Sequence, residues 1–248
     1  MTRRQPLTAW LPTRFSMSIS RRRFLTSAAG VSAAGIAAAA GLGTLFPQKL
    51  GLRSRCVVVN PGLCSPFAES AAGYEAALSS LSIPFEFASF ESLTPARTII
   101  LPSAVSTKVS GLASVREHIE KGSTVLYESG AAFLSAGNFA FHKRLIRSVF
   151  KLSLHDPVGL WDSADSTKQS PYVDYHWPVV TKVRDFSRVV PVESDKAEII
   201  ASFNGLPVAV RRRIGKGTLV FLGSPLGQHL LYGDREATRW LGAVCAST

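Results

Sequence analysis

The chain has 248 residues, 46% hydrophobic and 18% charged, and its 28 Lys and Arg against 17 Asp and Glu give a formal net charge of +11. Six of the basic residues (Arg3, Arg4, Arg14, Arg21, Arg22 and Arg23) fall in the first 40 positions, which hold no acidic residue, so only about +5 remains for the rest. That balance is mild, no zinc-finger or RNA-binding signature accompanies it, and a nucleic-acid partner is not expected; the roughly 200 residues beyond the N-terminal region suffice for one domain with a substantial core.

At the N-terminus, Ser20-Arg21-Arg22-Arg23-Phe24-Leu25-Thr26 precedes an almost uncharged Ala/Gly-rich run over 27–46. A charged segment, an apolar segment and small residues for cleavage are the marks of an export signal. With Arg21, Arg22, Phe24 and Leu25 at this spacing, the segment resembles the signal peptide of the twin-arginine translocation pathway, which carries proteins already folded. The resemblance implies a signal over residues 1–45, passage through the twin-arginine translocase, and export across the bacterial inner membrane to the periplasm or cell envelope. Two other readings stay open. A basic patch beside a helix would look similar, and residues 27–46 match the roughly 20 residues a helix needs to cross a bilayer. In that case the segment stays as an anchor, although Gly30, Gly35, Gly41 and Gly43 lower its helix propensity. Met17 would begin a more compact signal, so residues 1–16 read as an over-extended start.

A single domain is expected over 50–248. Cys56-Val57-Val58-Val59-Asn60 is a β-branched run that reads as a strand buried on both faces. A helix over 65–81 follows, with Ser65 as its N-cap and Pro66 at its first position. Strands are expected over 85–90 and 98–101, the second stopped by Pro102. A helix over 110–121 closes at Gly122, and a strand over 124–128 leads into the small-residue turn Ser129-Gly130-Ala131-Ala132 and another helical region. The segment 151–195 breaks the rhythm and reads as an insertion holding a hairpin or irregular lid. Residues 199–203 and 207–214 form a β-hairpin around Asn204-Gly205, a pair suited to a type I′ turn. A buried strand over 218–223 and a helix over 234–244 end the chain. Strand–helix alternation of this kind predicts an α/β fold, three-layered, with a mostly parallel sheet, helices on both faces and a C-terminal β-hairpin.

Two segments then point to a family. Glu120-Lys121-Gly122-Ser123-Thr124-Val125-Leu126 before a small-residue turn, and Ile214-Gly215-Lys216-Gly217-Thr218-Leu219-Val220-Phe221-Leu222-Gly223, together resemble a class I glutamine amidotransferase-like domain. This flavodoxin-like sheet also occurs in non-catalytic domains of some β-galactosidases, and the resemblance spans about residues 55–245. In the family a cysteine sits on a glycine-flanked strand-to-helix elbow. Ser129 takes the cysteine's position here, with Tyr127 and Ala131 where glycines are expected. A strained elbow needs small neighbours. The family's His-x-Glu pair is missing after the last core strand, where Leu222-Gly223-Ser224-Pro225-Leu226 stands. The resemblance thus implies the fold without the triad.

Two catalytic alternatives remain. Ser129 with His229 as base and Glu128 as its carboxylate could form a serine hydrolase set, because these groups need only be neighbours in space. Cys64 follows the first strand, at the edge where open α/β sheets bind ligands, and a helix N-terminus there could activate its thiol. The bland alternatives are an ordinary tight turn at Ser129 and a structural thiol at Cys64. Tyr172, Asp174, Tyr175 and Trp177, with His176, could line a carbohydrate platform, or their alternate residues could simply cap the core. Arg211-Arg212-Arg213 sits in an alternating strand pattern and reads as a solvated face.

Cys56 and Cys64, if extended, lie about 25 Å apart at roughly 3.3 Å per residue, beyond the ~7 Å limit of a disulfide. Cys245 could meet either one, or all three stay free. His118 reads as a surface residue, and His142 and His155 lack partners at ligand spacing, so no metal is expected. No Gly-x-Gly-x-x-Gly turn or phosphate-binding loop occurs, and no cofactor is expected. The expected function is a non-catalytic binding or interaction role at the envelope, toward a glycan or a protein. A serine hydrolase using Ser129 and a membrane-anchored accessory subunit are the alternatives.

Overall fold

The structure, a computed structural model, describes residues 56–60, 68–105, 109–159, 171–185 and 187–248. The twin-arginine segment with Arg21, Arg22, Phe24 and Leu25, the start at Met17, the helix cap at Ser65 and the thiol of Cys64 lie outside the described residues.

Chain order runs β1 (Cys56–Val59), α1 (Ala68–Ser80), β2 (Phe85–Ala88), β3 (Thr98–Ala104), α2 (Val109–Lys121), β4 (Thr124–Ser129) and α3 (Ala136–Phe150). Six short strands follow: β5 (Ser153–Leu154), β6 (Val158–Gly159), β7 (Tyr172–Tyr175), β8 (Thr181–Arg184), β9 (Arg188–Val189) and β10 (Val192–Glu193). The chain continues through β11 (Glu198–Phe203), β12 (Leu206–Ile214), β13 (Gly217–Leu222), α4 (Leu226–Leu231) and α5 (Arg235–Ala246).

Nine strands form the main sheet in the order β2-β1-β3-β4-β13-β12-β11-β7-β8. The first five, the majority, run parallel. From β13 outward every pairing is antiparallel. The expected α/β class with a large, mostly parallel sheet and helices is therefore present.

The parallel strands are apolar on both faces, and alternate residues feed two core clusters. In β1, Cys56 and Val58 enter a cluster with Tyr74 and Leu78 of α1 and Trp240, Leu241 and Val244 of α5. Val57 and Val59 enter a second cluster with Leu112 and Ile119 of α2 and Ile146 and Phe150 of α3. A period of two along the strand sorts alternate side chains between the clusters. Gly122 ends α2 with φ +122°, and the Asp234 side chain accepts from the Glu236 and Ala237 amides to open α5.

Two local expectations are corrected. Pro102 does not stop β3, which continues to Ala104 through a register shift after Leu101, with Ser103 at φ +44°. The β1 ladder on β3 ends at Ile100, and the β4 register skips from Leu101 to Ala104, so neither partner strand pairs with Pro102. The segment 151–195 holds a hairpin, β7 paired with β8, and that hairpin extends the main sheet beyond β11. Helix α4 lies in a stretch where no helix was expected, because six residues offer no periodicity to read.

Candidate functional site

Open α/β sheets bind ligands outside the carboxyl ends of their strands. Here those ends carry Ser103 from β3, Glu128 and Ser129 from β4, and Ser224 just past β13. Two buried carboxylates organise this edge, and each has its own set of donors.

Glu128 is fully buried. Ser70 Oγ donates to its Oε1 at 2.7 Å, and Tyr74 Oη donates to its Oε2 at 2.7 Å. Ser70 and Tyr74 are four apart on α1, so one helix face delivers both. The Ser103 amide adds a bond to Oε1 at 3.2 Å, and the Gly227 amide one to Oε2 at 2.8 Å. Burial pushes the carboxyl above its ordinary range, and the four hydrogen bonds offset that push only in part. The arrangement requires α1 and α4 to cross closely. A Cβ on Gly73 would fall 1.8 Å from the Gly227 carbonyl oxygen, and one on Gly227 would fall 1.9 Å from Ser70 Oγ.

Asp185, just past β8, is the second buried carboxylate. Its Oδ1 accepts from the Ser187 amide at 2.8 Å and from Ser187 Oγ at 2.6 Å, and its Oδ2 accepts from Ser224 Oγ at 2.6 Å. His229 Nε2 lies 3.7 Å from Oδ1, an electrostatic contact longer than a hydrogen bond, and its side chain is 14% exposed. Burial opposes ionisation, yet His229, Ser187 and Ser224 together outweigh it and hold Asp185 below its ordinary range. Tyr175, in the field of both carboxylates, has its phenol pushed up, first by burial and then by the Asp185 and Glu128 charges.

Ser129 is 2% exposed, and its Oγ accepts from the Ala131 amide at 3.2 Å. Among the described residues no histidine or carboxylate hydrogen-bonds to that hydroxyl. The set Ser129, His229 and Glu128 is thus not one hydrogen-bonded chain: Glu128 is held by α1 and α4, while His229 faces Asp185.

The aromatic platform is split by its own strand. Tyr172 and Asp174 are half-buried on one face of β7, whereas Val173 and Tyr175 are buried on the other. Tyr175 is a core residue, 1% exposed, with its ring 4.7 Å from that of Trp240, the arrangement in which alternate residues cap the core. Asp174 pairs with Lys182 at 3.1 Å. Trp177 is half-buried, its carbonyl accepts from Trp240 Nε1 at 2.7 Å, and the Arg211 guanidinium lies 4.5 Å from its ring centre.

Asp185, Ser187, Ser224, Ser70 and Tyr74 were not singled out in the sequence. The Asp185-x-Ser187 spacing of a side-chain turn and the four-residue spacing of Ser70 and Tyr74 were the available signals. Among the described residues, no group of three or more His, Cys, Asp or Glu is placed to hold a metal ion. Among them, too, no helix is long and apolar enough to cross a membrane.

Sheet and helices define an α/β protein of the broad kind to which flavodoxin-like folds belong. No family model and no curated protein matches the chain. Among solved structures, it is similar to an exo-β-1,4-mannosidase from Opitutaceae bacterium strain TAV5, with a TM-score of 0.56 and 15% identity over 76% of this chain and 35% of that one. A β-galactosidase from Rahnella sp. R3 matches with a TM-score of 0.58 and 13% identity over 79% of this chain and 31% of that one. A ThuA-like protein from Bacteroides uniformis matches with a TM-score of 0.51 and 10% identity, over 79% of this chain and 91% of that one. The chain spans about a third of the length of the two glycosidases. At these identities the likeness is one of fold.

Proposed function

We propose that the chain is an exported, non-catalytic domain with the three-layer glutamine amidotransferase-like fold, binding a glycan or a protein partner at the cell envelope. One observation carries the reading. The strand-end position where the amidotransferase pattern keeps its nucleophile holds a buried Ser129 whose hydroxyl is bonded to a backbone amide, beside a Glu128 saturated by four donors. The edge is built as a structural knot. The antiparallel β11–β12 pair around Asn204 and Gly205, and the two core clusters, support the finer description of the fold. Two glycosidases contain a similar fold as about a third of their chains, which supports a module serving a larger task. Residues 1–45 supply the twin-arginine signal, and retention of the Ala-rich segment would make the domain an anchored accessory subunit. A fluorophosphonate probe tests the absence of catalysis: the folded domain is expected to stay unlabelled.

A serine hydrolase of the same fold is the second reading. Its supporting observation is His229 facing buried Asp185, the base and carboxylate half of a triad, with Ser129 as nucleophile.

A further inference from the structure

Cys56, the first residue of β1, and Cys245, in the last turn of α5, are the beginning and the end of the described domain, yet the fold brings them together. Cys56 is 3% exposed and belongs to the core cluster against which half-buried Cys245 packs. Both thiols are free, and both line one cavity of about 230 Å³ with Ile83, Pro84, Thr98 and Gly242. A buried thiol beside a part-exposed one, opening on a cavity, gives an oxidant access to one sulfur and keeps the second within reach.

We propose that Cys56 and Cys245 are an oxidisable pair that closes into a disulfide, fastening the C-terminal helix to the first strand of the sheet. The asymmetry of the pair sets the order of events. The neighbouring Cys56 thiol holds Cys245 below its ordinary range against the opposing effect of burial, whereas the Cys245 contact and burial push Cys56 up. Cys245, the part-exposed sulfur of the two, is the one an oxidant reaches and the attacking thiolate. With glutathione disulfide as oxidant, its sulfur bonds to one glutathione sulfur and expels the other as glutathione thiolate. Cys56 then attacks the Cys245 sulfur of this mixed disulfide and expels the second glutathione, which takes up the Cys56 proton. Two protein thiols are oxidised and one glutathione disulfide is reduced to two thiols. The closed loop spans nearly the whole domain, where a cross-link removes the most freedom from the unfolded chain.

The test uses the full-length Cys64→Ser protein, reduced, exchanged into glutathione disulfide, then alkylated and digested. The expected products are a Cys56–Cys245 cross-linked peptide and an intact mass lower by two hydrogens. Tm should rise by roughly 10 °C, a rise absent from the Cys64→Ser/Cys245→Ser protein, which keeps the buried thiol intact. Full alkylation of both thiols after oxidation would overturn the proposal. So would a glutathione adduct on Cys245 that persists without closing. Either result leaves the proposed function untouched, because the pair lies outside the Glu128 and Asp185 sites.

Discussion

The Gly227 amide donates to Glu128 Oε2 at 2.8 Å across 99 residues of chain, and it can do so only because neither Gly227 nor Gly73 carries a side chain. The carboxylate at the end of β4 is thereby tied to α4 through a helix crossing that tolerates no Cβ.

Gly227→Ala and Gly73→Ala each place a methyl against backbone or against Ser70 at under 2 Å, and each is expected to cost about 1–3 kcal/mol by overpacking. Gly137, at the start of α3, has nothing within 4 Å of its would-be Cβ, so Gly137→Ala should leave stability unchanged within about 0.5 kcal/mol or raise it slightly. Urea denaturation of the three variants checks the contrast, and equal midpoints would remove the close crossing from the account.

Glu128→Gln keeps the shape but turns one end of the side chain into a donor facing other donors. All four partners of Glu128 can donate, and two of them are backbone amides with no alternative role. The loss is expected to be about 2–4 kcal/mol, read as a fall in the denaturation midpoint at constant slope. A variant as stable as the parent would mean that the knot contributes nothing to folding.

Asp185 and Glu128 should respond to pH in opposite senses. The folded-state pKa of Asp185 is lowered, so its stabilising contribution is complete above the ordinary value of 3.8 and is lost as pH falls through the folded value. The folded-state pKa of Glu128 is raised, so its contribution is complete below the ordinary value of 4.5 and declines as pH rises toward the folded value. Stability measured from pH 3 to 7 should therefore show the gap between parent and Asp185→Asn narrowing toward the acid end. A gap independent of pH would contradict the assignment of Asp185 as an ionised, hydrogen-bonded group.

Sequence legibility divides along the range of the interactions involved. The strands β1, β4 and β13 could be read because each carries a run of consecutive apolar residues, and α2 and α5 because Gly122 and Asp234 mark their ends. Pairing of β7 with β11 could not be read, since nothing local in Tyr172–Tyr175 names its partner strand. Glu128 and His229 were visible as chemically capable residues. Their partners were not: Ser70 lies 58 residues from Glu128, and Asp185 is brought to His229 only by the folding of β8 against the sheet end. The choice between platform and core for Tyr175 is legible from Val173 beside it, because a strand with an apolar residue at every second position buries that whole face.

Replacing Arg21 and Arg22 by lysine should abolish export if the N-terminal segment is a twin-arginine signal. Fractionation of cells making the parent and the Lys-Lys variant would locate each. The variant should accumulate unprocessed inside the cell, with at least a tenfold lower exported fraction (an order-of-magnitude expectation for losing guanidinium forks to point charges). Export of both forms alike would remove the envelope from the account.

The most direct measurement is fluorophosphonate labelling of the folded domain beside its Ser129→Ala variant, with folding confirmed by cooperative unfolding. The account predicts no labelling of either protein, because Ser129 Oγ is buried on the Ala131 amide and has no hydrogen-bonded base among the described residues. Labelling of the parent that disappears in Ser129→Ala would contradict it and establish the hydrolase, with His229 and Asp185 as the base and its carboxylate.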